Sequence, residues 1–221
     1  MNHLRGKFIV FDGGEGCGKS TQAGLLRQKL ESAGLKVVAV HDPGATRIGE
    51  LIRAILLNPD NTDMAMRCEM LLYMAARAQM IHETILPALK QGKVVISDRF
   101  VSSTLAYQVG GDGRLTAEDV KKVAEIAIDG RWPDLTIILD MPTEKSARRV
   151  QPKFLLPLPE QVQAELTKDR IELRSMEYHQ DVRKRYLEQA KTDSKRYRVI
   201  NADQDVQAVH EQVLAALQTL K

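Results

Sequence analysis

Hydrophobic and polar positions switch between two periods along this chain. Lys7-Phe8-Ile9-Val10-Phe11-Asp12 is a short apolar run that ends in glycines, the pattern of a buried strand. A helix follows from Lys19 to about Ala33, stopped by Gly34. Leu35 to His41 reads as a second strand closed by a Pro43-Gly44 turn, and Ile48 to Leu57 is helical until Asn58-Pro59. From Ala65 to Gln91, apolar residues at 71, 74, 78, 81, 85 and 89 keep helical spacing until Gly92 ends the element. Pro87 falls near its C-terminal end, where a kink is tolerable. Val94 to Ser97, Leu135 to Leu139 and Arg198 to Ile200 supply three further strands, and a last helix runs from about Asp205 to Leu220.

Strands alternating with helices imply an α/β chain: five parallel strands covered by helices on both faces. Gln151 to Pro159 carries Pro152, Pro157 and Pro159 and predicts an exposed loop. It separates the helix after strand four from a long charged helix, roughly Glu160 to Lys191. No internal repeat or low-complexity linker interrupts the chain, so residues 1–221 read as one domain with a mobile flap.

Composition narrows the class. Hydrophobic residues at 43% and charged residues at 28% are ordinary for a globular protein, and no apolar run approaches the roughly 20 residues of a membrane span. The N-terminus lacks the pattern of a signal peptide, and Cys17 and Cys68 cannot build a disulfide framework. A cytoplasmic protein is the expectation. A net charge of +3 is too mild to argue for a nucleic-acid polymer. Basic residues do crowd one stretch: Arg148, Arg149, Lys153, Lys168, Arg170, Arg174, Arg183, Lys184 and Arg185. Such a run is ordinarily a solvated face; the functional alternative is a set of arginines that fold over a polyphosphate.

The chemistry starts at the first strand's end. Gly13-Gly14-Glu15-Gly16-Cys17-Gly18-Lys19-Ser20 fits G-x-x-x-x-G-K-[ST] between a predicted strand and a predicted helix, the context that the motif requires. Its backbone N–H groups and the helix N-terminus face phosphates, Lys19 brings a movable charge, and Ser20 joins a Mg²⁺ shell. The donor site thus runs from Gly13 to Thr21, and the fold is that of P-loop NTPases, with ATP and Mg²⁺ as cofactors. No N-K-x-D guanine reader and no acidic Walker B pair are present. Strand three ends instead in Ser97-Asp98-Arg99, where Asp98 can hold Mg²⁺ and Arg99 offers a planar fork for phosphate oxygens. A structural ion pair is the alternative for those two. A thiol at a helix N-terminus such as Cys17 has a lowered pKa, although steric demand alone explains a small residue there.

Several stretches together resemble thymidylate kinases. They are GGEGCGKST, DPGATRIGELIR, LLYMAARAQM, SDRFVSSTLAYQ, PDLTIILD and DRIELRSMEYHQDVRKRYLEQA, in an order and spacing that cover Phe8 to about Ala202. The resemblance implies transfer of the γ-phosphate of Mg²⁺-ATP to dTMP, a lid at approximately 148–165, and a homodimer, for which the Ala65–Gln91 helix could serve as the surface. It also implies roles. Tyr73 stands where the family stacks a Phe on thymine, with Arg77 four residues later on the same helical face. Glu15 looks like the acid that receives the sugar 3′-OH, Tyr107 like the aromatic packed at C2′, and Thr104, with Gln108 close by, like a reader of the base edge. Arg53 and Arg99 look like ligands of the acceptor phosphate. Ser102 and Ser103 read as helix N-terminal hydroxyls. The family's Arg-Glu-Pro-Gly-Gly-Thr is here His41-Asp42-Pro43-Gly44-Ala45-Thr46. Glycine at position 16, where some relatives carry arginine, shifts the catalytic charge to a lid arginine: Arg148, Arg149 or Arg170, with Arg149 and Arg170 favoured.

A phosphate acceptor needs no general base, so Lys19, Asp98, Arg99 and the lid arginines act by positioning and charge. Two rival enzymes remain: another pyrimidine nucleoside monophosphate kinase, or a deoxynucleoside kinase with Asp42 as base. The rival of another class is a nucleotide-operated switch.

Overall fold

The structure is a computed structural model and describes residues 1–110, 115–149 and 169–220. Five strands, β1 (Phe8–Gly13), β2 (Val37–His41), β3 (Val94–Asp98), β4 (Leu135–Asp140) and β5 (Tyr197–Asn201), form one parallel sheet in the order β2-β3-β1-β4-β5. β1 lies at the centre with every residue buried. Its pleat sends Ile9 and Phe11 to one face and Phe8 and Val10 to the other, which is why a continuous apolar run is required.

Each face is covered. On one side α1 (Lys19–Ser32) and α9 (Val206–Leu217) pack Leu26, Leu30, Val209 and Val213 against Ile9, Phe11, Ile137 and Leu139. On the other, α3 (Met66–Met80), α5 (Val101–Tyr107) and α6 (Ala117–Ala127) bring Met70, Met74, Val101, Val120 and Ala124 onto Phe8, Val10 and Val95. Burying each of these side chains larger than alanine contributes roughly 1.5–3 kcal/mol. α2 (Arg47–Leu57) packs on α3, while α7 (Thr143–Arg149) and α8 (Met176–Thr192) lie together near the C-terminal end of β4.

The five strands and the parallel sheet agree with the pattern analysis. Three elements differ. The predicted helix from Ala65 to Gln91 is α3, a π turn at Ile81–Ile85 and α4 (Leu86–Lys90). Pro87 cannot donate to the carbonyl four residues back and its ring crowds that oxygen, so the preceding turn widens. The helix expected from Glu160 begins, within the described residues, at Met176. Asp169 accepts from the N–H groups of Ile171 and Glu172 at 3.0 Å each, a local turn that competes with helix, and Ser175 caps α8 by accepting from Tyr178 N. Hydrophobic periodicity gives no element at α6, yet its start is chemically marked: Thr116 and Asp119 form a capping box. The proline-bearing flap at Gln151 to Pro159 and all but 148 and 149 of the expected lid lie outside the described residues.

The strands' carboxyl ends all point one way. β1, β3 and β4 end in Gly13, Asp98 and Asp140 along one edge, and the site is built there.

Candidate active site

β1 turns into the glycine loop at Gly13 (φ 134°), where a Cβ would stand 2.5 Å from Leu139 O, so no other residue fits. The loop feeds α1 through Gly18 (φ 94°), again in the left-handed region. Lys19 is buried, and its ammonium donates to Gly14 O at 2.6 Å and Gly13 O at 3.4 Å, folded over the loop that it serves. Ser20 Oγ donates to Asp98 Oδ2 at 2.6 Å, which joins the start of α1 to the tip of β3. Cys17 Sγ donates to Gly14 O at 3.1 Å. Burial raises this thiol's pKa against the pull of Lys19 and Arg99, the reverse of the lowering expected at a helix N-terminus. The physical reason is that burial strips most water from the side chain, which disfavours the thiolate.

Arg99 is the electrostatic centre. It adopts φ 72°, uncommon for a residue with a side chain, and its N–H donates to Phe11 O at 2.8 Å. One guanidinium nitrogen donates to Gly13 O at 3.1 Å, Ser103 Oγ at 3.0 Å and Tyr186 OH at 3.2 Å. The other donates to Glu15 Oε1 at 2.5 Å and Tyr107 OH at 3.4 Å. Burial works against this charge, but Glu15, Tyr107, Tyr186 and Asp12 outweigh it and hold the pKa well above its ordinary value. Arg99 stays a cation.

Sequence reasoning missed the anchor of this array. Asp12, fully buried at the end of β1, accepts from Ser102 Oγ at 2.5 Å, Ser103 Oγ at 2.7 Å and Tyr186 OH at 2.6 Å, and lies 3.6 Å from Arg99. Ser102 and Ser103, expected to serve the helix N-terminus, therefore serve Asp12 instead. An acid inside an apolar strand was the available signal, since a buried charge must be paired.

One cavity of about 650 Å³ unites most of the predicted residues. Its middle is the loop from Glu15 through Thr21, with Asp98 and Arg99. One end is lined by Arg149, Ala202, Gln204 and Val206, the other by Arg53, Tyr73, Thr104, Tyr107 and Gln108. Arg53 donates to Pro43 O at 2.8 Å, bracing the Pro43-Gly44 turn. His41, in place of the family's arginine, pairs with Glu50 at 2.8 Å, and Glu50 also accepts from Ala45 N at 2.8 Å. Burial raises the Tyr73 phenol's pKa, so it stays neutral.

Two expectations change. Arg77 does not line the cavity. It is fully buried behind Tyr73, donating to Asp42 Oδ2 at 2.5 Å, Thr104 Oγ1 at 2.7 Å and Phe100 O at 2.9 Å. Asp42 is thereby paired with Arg77 through one carboxylate oxygen, and burial raises its pKa against the pull of that guanidinium. Arg170, expected to reach the polyphosphate, is buried beside Glu69 at 2.5 Å and donates to Leu56 O at 3.1 Å. The fully buried Glu69 carboxylate draws it inward, away from the cavity. Gly13 and Gly14 line a smaller neighbouring cavity of about 160 Å³ behind the loop.

The thymidylate kinase family model matches residues 11–213. The chain belongs to the thymidylate kinase family. It is 44% identical to a thymidylate kinase of Pelotomaculum thermopropionicum, over 96% of this chain and 93% of that one. It is 41% identical to a thymidylate kinase of Caldanaerobacter subterraneus subsp. tengcongensis, over 97% and 96%. Among solved structures it is similar to the thymidylate kinase of Ehrlichia chaffeensis, with a TM-score of 0.74 and 29% identity over 96% and 98% of the two chains. As a thymidylate kinase it is a nucleoside monophosphate kinase, so the deoxynucleoside kinase and the switch give way, and ATP is the phosphate donor.

Proposed function

We propose that the chain transfers the γ-phosphate of Mg²⁺-ATP to dTMP, giving dTDP and ADP, with the two nucleotides end to end in the 650 Å³ cavity. The observation that carries this reading is that Arg99 and Lys19 line one cavity together with Gln204 and Val206 and with Tyr73 and Thr104. Gln204 and Val206 take the donor nucleoside. Tyr73 stacks on the base, Thr104 and Gln108 read its edge, Tyr107 packs at C2′, and Glu15 receives the 3′-OH. Arg53 and Arg99 hold the acceptor phosphate.

The acceptor is already an anion, so no side chain has to remove a proton. Lys19 and Arg149 offset charge on the transferring group, and Arg99 keeps the acceptor oxygen in line. Ser20 and Asp98 would hold Mg²⁺. Their two hard oxygens at 2.6 Å fit an ion that binds few protein ligands and completes its shell from phosphates and water. Bound there, Mg²⁺ would neutralise the β- and γ-phosphate oxygens.

The same proposal includes one domain over 1–221 with a lid at about 148–165. The pairing of β1 with β4 joins the two halves of the chain in one sheet. It includes a homodimer, supported by the exposed Ile48, Leu51 and Ile55 at helical spacing along α2. A cytoplasmic place suits the free cysteines and the use of ATP.

A coupled assay of ADP release with dTMP, thymidine, UMP and dCMP tests the reading. Turnover should be efficient with dTMP alone. Consumption of thymidine with dTMP inert would defeat it.

A further inference from the structure

We infer that Glu69 sets the choice of base by fixing which end of the Gln108 side-chain amide faces the acceptor pocket. This rests on the reading above that Gln108 meets the base. Glu69 is fully buried on α3. Its Oε2 accepts from Arg170 at 2.5 Å and from Arg174 at 2.6 Å, and its Oε1 accepts from Gln108 Nε2 at 2.7 Å. Gln108, 2% exposed, follows α5 and lines the cavity beside Tyr73 and Thr104.

The two ends of a glutamine amide are similar in shape and opposite in hydrogen bonding. A carboxylate shared between two guanidiniums has no proton to give, so the Gln108 atom that faces it must be the donor, the NH₂. The carbonyl oxygen is left for the cavity, and no donor among the described residues meets it. Thymine offers an N3–H to such an oxygen. Cytosine offers an N3 lone pair, which the oxygen repels. An acid two side chains away from the base therefore writes the preference for an imide.

The arrangement predicts more than a loss when Glu69 becomes Gln. Arg170 and Arg174 both require an acceptor at the Oε2 position, so the new carbonyl oxygen turns to them. Its NH₂ then faces Gln108, which must rotate to offer its own oxygen. The Gln108 NH₂ is left facing the base, and the donor–acceptor code at that position is inverted. A merely structural role would weaken dTMP and dCMP alike.

The experiment compares kcat/KM for dTMP and dCMP in the wild type, Glu69→Gln and Gln108→Leu, at saturating Mg²⁺-ATP. For Glu69→Gln the dTMP/dCMP ratio should fall at least ~10-fold, through a gain for dCMP as well as a loss for dTMP. An unchanged ratio in Glu69→Gln, beside a fallen ratio in Gln108→Leu, overturns the role of Glu69 alone. An unmoved ratio in Gln108→Leu overturns the reading that Gln108 meets the base. Should Glu69→Gln fail to fold, the wild-type protein decides. With ¹⁵N-labelled glutamine, the Gln108 amide protons, identified by their loss in Gln108→Leu, should exchange slowly with water with and without dTMP. Fast exchange in both states overturns the inference.

Discussion

Ser20 and Asp98 meet hydroxyl to carboxylate, Oγ to Oδ2 at 2.6 Å, although 78 residues separate them. The contact ties the phosphate loop's helix to the tip of β3, and a divalent ion that entered would take both oxygens. Chelation of Mg²⁺ should abolish turnover and added Mg²⁺ restore it. Asp98→Asn should raise the Mg²⁺ concentration for half-maximal rate by about 10–100-fold. A Mg²⁺ titration of the initial rate checks this, and an unshifted midpoint removes Asp98 from the metal site.

Arg99 is held by Glu15, Ser103, Tyr107 and Tyr186, and little of its side chain is exposed. So much fixation suits a group that must be in place before the acceptor arrives. Arg99→Ala should lower kcat by about 10²–10³-fold, the size seen when one preorganised donor is removed. The KM for ATP should change only a few-fold. Steady-state kinetics with each substrate varied separates the two, and an unchanged rate at saturating dTMP refutes the role.

Two arginines that look alike in sequence should behave differently. Arg149 ends α7 at the cavity wall, where among the described residues its guanidinium meets only Ala202 O at 3.5 Å, so Arg149→Ala should cost activity and leave stability alone. Arg170→Ala removes a buried partner of Glu69 and should cost about 3–5 kcal/mol of stability. For a chain of this length that is a Tm lower by roughly 6–20 °C. Thermal melts beside kcat for both variants make the comparison. A stable Arg170→Ala with lost turnover would return Arg170 to the catalytic set.

The sheet and the loop were legible because their causes are local. An apolar run as long as one strand, followed by G-x-x-x-x-G-K-S, has few other foldings, and all five strands stand where periodicity put them. Tyr107, Thr104 and Gln108, named through the family resemblance, line the cavity together because they sit on one short helix and its end. What sequence spacing could not give is which charge is drawn inward. Arg170 and Arg77 were assigned outward roles because nothing near them in sequence shows that Glu69 and Asp42 wait, buried, to pair with them. The Asp12–Tyr186 hydrogen bond spans 174 residues and comes into view only once β1 and α8 are folded together.

The exposed face of α2 makes a claim about assembly. Ile48, Leu51 and Ile55 recur at three- and four-residue steps, and burying them against a second copy would remove apolar surface from water. Leu51→Glu places a charge in that seam. The wild type should sediment as a dimer and Leu51→Glu should sediment as a monomer with its helix content kept. A wild type that stays monomeric at high concentration contradicts the homodimer.

Cys17 and Cys68 should differ in reactivity, and the sign follows from burial. The thiolate is the nucleophile, and burial raises the Cys17 pKa above the ordinary range near 8.5. At pH 7.5 the sulfur therefore stays protonated, its S–H given to Gly14 O. Cys68, exposed on α3, is open to reagent. Iodoacetamide at pH 7.5 should modify Cys68 alone, with activity retained, and both thiols should react once the chain is unfolded in denaturant. In a Cys68→Ser variant, native labelling should vanish at pH 7.5 and return only as pH rises through the elevated Cys17 value. Labelling of Cys17 in the native enzyme at neutral pH, with loss of turnover, would instead give this thiol the low pKa of a redox sensor and contradict the burial argument. Mass spectrometry of the labelled peptides, read beside residual activity, distinguishes the outcomes.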